Sequence, residues 1–141
     1  HNFTPIAFSY EFTIPNNTQL VVGTQVNLKI KITNIGVIND VYSITATSDS
    51  PALSITPSNH ETATVESGDY VDVYFLLRPN YALNTMNSIV TFTICSEKME
   101  SVLPPDEKQK ACKEEDLQFT IKMITMDDNP FSWIFNKIFE K

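Results

Sequence analysis

The sequence predicts an all-β protein: an antiparallel β-sandwich of about seven to eight strands, followed by a short C-terminal amphipathic helix. Residues 26–32 alternate strictly between apolar and polar side chains, the pattern of a strand with one face in a core and one in water. About eight such segments follow one another, with turn residues at roughly 8–12-residue intervals. Helical periodicity is nearly absent before residue 127. These features argue against a fold that alternates strands with helices.

The first strands follow from this alternation and from the turns that interrupt it. A strand is predicted at 8–14, after which Pro15-Asn16-Asn17 turns the chain. The strand at 26–32 is predicted to end at Asn34-Ile35-Gly36, because Gly36 can take the positive φ of a tight turn. Three shorter strands are predicted next, at 40–47, 52–55 and 62–66.

The remaining strands lie in the second half of the chain. The segment 71–77 follows the turn Ser67-Gly68-Asp69. Arg78-Pro79 is predicted to end it, because proline has no N–H for a strand pair. The last two strands are predicted at 88–95 and 117–126, and the charged loop between them is expected to be solvated.

The C-terminal tail carries a helical pattern. We expect residues 1–126 to form the sandwich and residues 127–141 a separate tail that opens with the helix start signal Asp127-Asp128-Asn129-Pro130. An apolar stripe follows at helical spacing, formed by Phe131, Ile134, Phe135 and Ile138. A helix this short has to pack on something: its own sandwich, another subunit or a membrane interface. Trp133, which lies off the stripe, favours the last two.

Five turn motifs recur along the predicted strands: VGTQV at 22–26, ITNIG at 32–36, DVY at 40–42, VESGDYV at 65–71 and LRP at 77–79. Together they resemble the turn motifs of the immunoglobulin-like domains called CARDB and of the related NPCBM-associated domains. The resemblance implies an immunoglobulin-like sandwich. Such domains occur in secreted or surface proteins of bacteria and archaea as spacer, adhesion or carbohydrate-enzyme accessory modules, without common catalytic residues. The long loop before the last strand and the C-terminal tail depart from this pattern and argue against a simple spacer.

Composition excludes several classes of partner. The 141 residues carry a formal net charge of −7, and Arg78 is the single arginine, so there is no basic patch for phosphates. Nucleic acid is therefore not expected as a partner. The longest apolar runs, such as 74–77, are far shorter than the ~20 residues needed to cross a bilayer.

Three signs favour a secreted or cell-surface protein. The first residue is His1 and not methionine, as after removal of a leader segment. Acceptor triplets for N-glycosylation begin at Asn2 and Asn16. The sequence also contains two cysteines, Cys95 and Cys112, a number that allows one disulfide.

The cysteine pair is interpreted as a structural disulfide. Cys95 and Cys112 flank the loop before the last strand and enclose sixteen residues. A disulfide closing a loop of this size contributes on the order of 3 kcal/mol in the chain-entropy model. A redox pair is not favoured, because C-x-x-C spacing is absent. Within the loop, Ser101-Val102-Leu103 is an alternative recognition tip.

The sequence contains no recognisable catalytic motif. A G-x-S-x-G elbow, a glycine-rich phosphate loop and a zinc-spaced cluster of cysteines and histidines are all absent. The acidic runs at 114–116 and 127–128 are expected in turns or at strand ends, as solvated charges rather than an enclosed acid–base pair. We therefore predict that the protein is not an enzyme and uses no cofactor.

The two histidines leave one metal site as an alternative. A chain-terminal histidine such as His1 can bind copper through its α-amine and imidazole, and His60 could complete a T-shaped site. Such a brace is similar to that of copper-dependent polysaccharide oxygenases. His60 is predicted to lie in a polar turn at 58–61, where a histidine is normally solvated. Copper is therefore the least favoured of the functions considered.

We predict a non-catalytic extracellular subunit or module with a structural, adhesion or protein-interaction role at the cell surface. Its expected partners are other surface protein subunits or a second copy of itself, with a membrane-interface contact through the tail as a further option. The alternative is an accessory carbohydrate-binding module that binds a polysaccharide, because pyranose rings stack on flat aromatic side chains. The candidate aromatic residues are Tyr10, Tyr42, Tyr70, Tyr74 and Tyr81, of which all except Tyr81 fall in predicted strands.

Overall fold

Nine strands make up most of the described chain. A computed structural model describes residues 6–14, 19–82 and 84–122. The strands are β1 (Phe8–Thr13), β2 (Gln19–Val21), β3 (Val26–Asn34), β4 (Tyr42–Ser48), β5 (Leu53–Thr56), β6 (Asn59–Glu61), β7 (Tyr70–Pro79), β8 (Met86–Ser96) and β9 (Cys112–Lys122). Between β8 and β9 lie one turn and a half of α-helix, α1 (Glu97–Val102), and a 3₁₀ helix (Pro105–Ala111).

The strands form two sheets packed face to face. One sheet has the order β1-β3-β7-β5 and is antiparallel throughout. The other has the order β2-β9-β8-β4-β6, in which β2 runs parallel to β9 and the other pairs are antiparallel. Because β3 and β4 follow each other in the chain but lie in different sheets, the connection between them crosses one end of the sandwich. The predicted all-β, immunoglobulin-like sandwich is confirmed.

Alternate residues of both sheets fill the core. In β3, Leu28, Ile30 and Ile32 are fully buried, as the alternation predicts. Phe92 of β8 lies across from the other sheet, with its ring centroid 5.5 Å from that of Phe75 and 5.2 Å from that of Phe12. Burying each such side chain stabilises the fold by roughly 1.5–3 kcal/mol.

One predicted strand was placed wrongly. Residues 62–66 form no strand, and Val65 makes only an isolated bridge to Asp40. The strand lies just before them, at β6, where a turn was predicted and where His60 pairs with Ile44 of β4. All three β6 residues are exposed at the edge of the sheet, so no apolar alternation reveals the strand.

The last strand begins earlier than predicted. β9 starts at Cys112, and its first five residues pair with β8 although charged side chains dominate them. The acidic residues 114–116 therefore lie within a strand and not in a turn. Residues 123–126 of the predicted strand lie outside the described residues. The loop before β9, in which no helix was predicted, contains α1 and the 3₁₀ helix.

β7 ends at Pro79, as predicted, and its last two residues pair only with β5, in which Leu53 is the partner of Pro79. The missing N–H is tolerated because the pairing of β7 with β3 already ends at Leu77. The expectation for Gly36 was wrong. Positive φ angles occur at Gly23 and Gly68 among the described glycines, and not at Gly36, whose turn is held by a side chain described below.

No helix within the described ranges is long and apolar enough to cross a membrane.

The parallel strand β2 was not predicted, because three residues are too few to show an alternation of apolar and polar side chains.

Candidate functional site

One end of the sandwich gathers several features that the sequence had singled out separately. We call it the disulfide end: residues 6–8, the β3–β4 loop with its neighbour 65–69, and residues 95–113. The segments contact one another directly, since Ile35 N–H donates to the Ala7 carbonyl (3.1 Å) and Glu97 N–H donates to the Val41 carbonyl (2.9 Å).

The disulfide closes the base of this end. Cys95 and Cys112 are directly opposite each other as the terminal pair of the β8–β9 ladder, and they are bonded with a sequence separation of 17. The disulfide predicted from the two cysteines is therefore present. It fixes the point at which α1 and the 3₁₀ helix leave the sheet and return to it.

A buried carboxylate joins α1 to the β3–β4 loop. Asp40 is 2% exposed, and it accepts hydrogen bonds from the N–H of Lys98 (3.0 Å) and of Val41 (2.7 Å). The Ser96 hydroxyl also donates to Asp40, while its oxygen caps α1 by accepting from Met99 N–H (3.0 Å). A buried charge needs such donors, and here they come from two segments that are distant in sequence.

A second buried polar side chain shapes the β3–β4 loop. Asn34 is 1% exposed; its amide group donates to the carbonyls of Ile38 and Val65, both at 2.9 Å, and its oxygen accepts from Gly36 N–H at 3.0 Å. The Ser67 hydroxyl adds a bond to the Gly36 carbonyl at 2.5 Å. The loop is therefore held by side-chain hydrogen bonds, and Gly36 needs no positive φ.

This fixed loop presents apolar side chains to solvent. Ile35, Val37 and Ile38 are 59%, 57% and 42% exposed, and we call residues 35–38 the apolar loop. Single exposed apolar residues are ordinary, but three within four residues of an ordered loop form a patch typical of a contact surface.

A cavity of about 220 Å³ opens beside the apolar loop. Its lining is mainly apolar, with two lysines, and consists of Ile6, Ala7, Phe8, Ile35, Ser96, Met99, Lys110, Ala111 and Lys113. The Lys113 ammonium lies 4.4 Å from the Phe8 ring centroid and donates to the Phe8 carbonyl, and the Lys110 ammonium lies 2.5 Å from Glu107 Oε1. The cavity thus combines apolar walls with positive charge.

The acidic residues of β9 make structural contacts. Glu115 accepts a hydrogen bond from the Tyr10 hydroxyl at 2.9 Å, and Asp116 accepts one from Thr91 at 2.7 Å. Burial, followed by the hydrogen bond and the charge of Glu115, raises the pKa of Tyr10 above its usual value. These carboxylates lie along one strand and form no enclosed acid–base pair.

A second surface lies on the outer face of the four-stranded sheet. Tyr70 and Tyr74 of β7 are 53% and 57% exposed there, with Asp72 between them. Opposite these three residues, β3 places Thr33, Lys31 and Lys29 in register. We call this set the tyrosine face. Of the other candidate tyrosines, Tyr42 is fully buried, Tyr10 is bonded to Glu115, and Tyr81 is exposed outside the strands.

Two observations describe the chemistry of the tyrosine face. The Lys31 ammonium lies 4.5 Å from the Tyr70 ring centroid, a cation–π contact. The Oδ1 atom of Asp72 is buried and has no hydrogen-bond partner among the described residues.

Several predicted site residues lie outside the described residues: His1, Asn2, Asn16, Phe131, Trp133, Ile134, Phe135 and Ile138. The glycosylation, copper and tail assignments therefore stay predictions. His60 itself lies on the exposed edge strand β6 and not in a turn. Within the described chain, a group of three possible metal ligands occurs at Cys95, Glu100 and Cys112, but its two sulfurs form the disulfide and are not thiolates.

Comparison with known proteins shows the fold. No family model and no curated protein matches the sequence. Solved structures do match. A CARDB domain from Pyrococcus furiosus has a TM-score of 0.54 and 10% identity, with 87% of this chain and 99% of that chain covered. A FixG-related protein from Vibrio parahaemolyticus has a TM-score of 0.55 and 12% identity, with 84% and 98% covered.

The native conformation of Escherichia coli alpha-2-macroglobulin contains a similar region. The TM-score is 0.64 at 14% identity, over 83% of this chain, which spans 7% of the alpha-2-macroglobulin chain. At these identities the likeness concerns architecture alone. The chain has the immunoglobulin-like fold of the CARDB type that its turn motifs resemble.

Proposed function

We propose that this protein is a non-catalytic immunoglobulin-like module that binds another protein at the cell surface through its disulfide end. The observation that carries the proposal is the apolar loop, in which Ile35, Val37 and Ile38 are exposed although hydrogen bonds hold the loop in place. The disulfide, together with the immunoglobulin-like fold shared with CARDB domains, supports an extracellular location.

A preorganised loop suits binding. Association is opposed by the entropy lost when flexible segments become ordered. The apolar loop is already held by Asn34 and Ser67, so little of that cost remains. Burying three partly exposed side chains then contributes on the order of a few kcal/mol.

The adjacent cavity indicates the chemistry of the partner. Its apolar walls accept an apolar side chain. The Lys113 ammonium, which makes no ion pair among the described residues, favours a carboxylate beside it, whereas Lys110 is already paired with Glu107. The expected partner is therefore a surface protein, either another subunit or a second copy of this chain, that presents an acidic segment with an apolar tip.

Site-specific crosslinking on the producing cells tests this proposal. A photoreactive residue at position 37 should yield a discrete crosslinked species, whereas the same residue at position 89 should not, although Ile89 is also an exposed apolar residue, 40% exposed on β8. Ile35→Asp combined with Ile38→Asp should abolish the crosslink. Sedimentation of the purified protein distinguishes a second copy from a different subunit. Equal crosslinking from positions 37 and 89 would refute the assignment of this surface.

The C-terminal tail is proposed as a further contact. Its apolar stripe of Phe131, Ile134, Phe135 and Ile138, with Trp133, suits another subunit or a membrane interface. Truncation after Asn129 should leave a folded domain whose oligomer size or surface attachment has changed, as measured by light scattering and cell fractionation. Loss of most of the stability at constant oligomer size would instead assign the tail to core packing.

A further inference from the structure

The tyrosine face has exposed aromatic and charged side chains that take no part in the protein binding proposed at the disulfide end. We propose that it is a separate binding site for an oligosaccharide of pyranose rings, centred on Tyr70, Asp72 and Tyr74. The proposal goes beyond the protein-binding function and does not depend on it.

The two tyrosines supply apolar platforms. Both residues are more than half exposed. The Tyr74 side chain makes no hydrogen bond or ring contact among the described residues, whereas the Tyr70 ring has the Lys31 ammonium over it. Tyrosine has only two side-chain torsions, so a platform of this kind binds at a small entropic cost. A pyranose ring presents a face of C–H groups that packs on such an aromatic ring, while its hydroxyl groups stay at the rim.

The spacing of the platforms sets the size of the ligand. Tyr70 and Tyr74 are four residues apart in one strand, which places their Cα atoms about 13 Å apart at roughly 3.3 Å per residue. A single sugar ring cannot cover both tyrosines. A ligand that uses both must therefore contain several linked rings.

Polar groups between the platforms match sugar hydroxyls. Asp72 has a buried carboxylate oxygen without a hydrogen-bond partner among the described residues, a state that is costly for an acceptor. A sugar hydroxyl can donate to this carboxylate once the side chains that cover the oxygen rotate. The side chains of Lys29 and Lys31 form no ion pair or hydrogen bond within the described ranges. Their ammonium groups can therefore donate to sugar hydroxyls, although that of Lys31 also lies over the Tyr70 ring.

The balance of charge favours a sugar over a polyanion. In the three cross-strand rows that contain Tyr70, Asp72 and Tyr74, the charged residues are Glu11, Asp72, Lys29 and Lys31. Two negative and two positive side chains give no net charge. Such a surface offers hydrogen-bond donors and acceptors together, which suits hydroxyl groups. It has no positive electrostatic potential that would select a phosphorylated or sulfated polymer.

Calorimetric titration with soluble hexasaccharides tests the site. The probes are linear β-linked hexamers of glucose, of N-acetylglucosamine and of xylose. We expect at least one to bind the full chain, and we expect Tyr74→Ala and Tyr70→Ala each to weaken that binding at least tenfold. Tyr74→Phe should retain most of the affinity, because the ring remains.

Matched controls separate a site from a loss of folding or from non-specific binding. Tyr81→Ala, at a tyrosine 45% exposed but outside the face, should leave the affinity unchanged, and so should Val37→Asp at the disulfide end. Thermal unfolding of each variant checks that it is folded. The proposal is overturned if no hexamer binds, or if Tyr81→Ala weakens binding as much as Tyr74→Ala. Failure here leaves the crosslinking result at position 37 unaffected, so the two proposals fail independently.

Discussion

Buried polar side chains, more than exposed ones, organise the disulfide end. The local pattern assigns Asn34 to a turn and Asp40 to the start of a strand, and both are almost completely buried. Each satisfies groups of two segments that are far apart in the sequence. Their energetic role can be measured at single residues.

Asn34→Ala should destabilise the protein by about 2–4 kcal/mol. The substitution removes three hydrogen bonds of roughly 1 kcal/mol each and leaves the buried Gly36 N–H without its acceptor. Urea denaturation measures the change in the free energy of unfolding. Asn27→Ala is the matched control, because Asn27 lies on the same strand and is exposed, and it should change stability by less than about 0.5 kcal/mol. Equal effects of the two substitutions would contradict the role assigned to Asn34.

Tyr42→Phe should stabilise the protein by about 1 kcal/mol at neutral pH. The Tyr42 hydroxyl is buried without a hydrogen-bond partner among the described residues, and removing such a group from a site of unchanged shape relieves the cost of its desolvation. Thermal and urea unfolding of both proteins check this. Tyr81→Phe, at an exposed tyrosine, should have no effect. If Tyr42→Phe instead lowered the free energy of unfolding by more than about 1 kcal/mol, the hydroxyl would have a hydrogen-bond partner in the folded protein.

The same residue predicts a dependence of stability on alkaline pH. Burial, followed by the charge of Asp40, raises the pKa of Tyr42 above its usual value of 10.0. Above pH 10 the unfolded chain therefore loses this proton before the folded protein does. Ionisation of Tyr42 therefore leaves the stability unchanged well below pH 10 and lowers it as the pH rises from 10 towards the folded-state pKa. Wild type should thus lose more stability between pH 9.5 and 11 than Tyr42→Phe, and parallel pH profiles would contradict this assignment.

At the scale of elements, the disulfide and α1 act as one unit. The bond joins the terminal pair of the β8–β9 ladder, and the segment it encloses is held against the β3–β4 loop by the contacts of Asp40 and Ser96. The connection between β8 and β9 is thereby held in place, next to the apolar loop, and it forms part of the cavity wall.

The double substitution Cys95→Ala/Cys112→Ala should destabilise the protein by about 3 kcal/mol, because the unfolded chain regains the freedom that the closed loop removes. Urea denaturation with and without a reductant measures this. The reductant should lower the stability of the wild type and leave the double variant unchanged. Thiol labelling of the denatured, unreduced wild type should find no reactive cysteine. Stoichiometric labelling would show that the bond is absent in solution.

At the scale of the whole molecule, aromatic side chains of the two sheets pack on one another, as Phe8 of β1 does on Tyr42 of β4. Phe92 of the five-stranded sheet packs on Phe12 and Phe75 of the four-stranded sheet. Contacts of this kind couple the sheets, so we expect the domain to unfold in one transition.

Phe92→Ala should cost about 3–5 kcal/mol, through lost burial and the cavity left between the sheets. Thr93→Ala, at the next residue on the outer face of the same strand, should cost less than about 1 kcal/mol. Circular dichroism and tyrosine fluorescence followed in urea should give coincident transitions for both variants. Separate transitions would mean that the sheets unfold independently.

The two proposed sites lie on one scaffold but depend on different parts of it. The protein-binding surface lies at the end where loops and the disulfide meet, and the oligosaccharide site lies on the outer face of one sheet. Since the same fold supports many functions, the assignment depends on the side chains of these surfaces and not on the architecture.

The sequence by itself determined the fold class and the inward face of the long strands. Alternation is a local property, so Leu28, Ile30 and Ile32 could be assigned to the core without knowing their neighbours. Short exposed elements such as β6 carry no such signal and were missed or misplaced. The five tyrosines were identified as candidates, but a tyrosine has an apolar ring and a polar hydroxyl and is found on either face of a strand, so the sequence did not say which of them are exposed.

Only the tertiary structure decided the sites. The Asn34 side chain bonds to a carbonyl 31 residues away, and the Ser96 hydroxyl bonds to a carboxylate 56 residues away. Such pairs depend on which strands share a sheet and on where the connections cross, and no local pattern encodes this. The same long-range packing buried Tyr42, exposed Tyr70 and Tyr74, and brought the apolar loop beside the disulfide. Composition and alternation therefore determine the core, because the hydrophobicity that drives burial is a property of each side chain, whereas a binding surface requires residues that only the complete fold brings together.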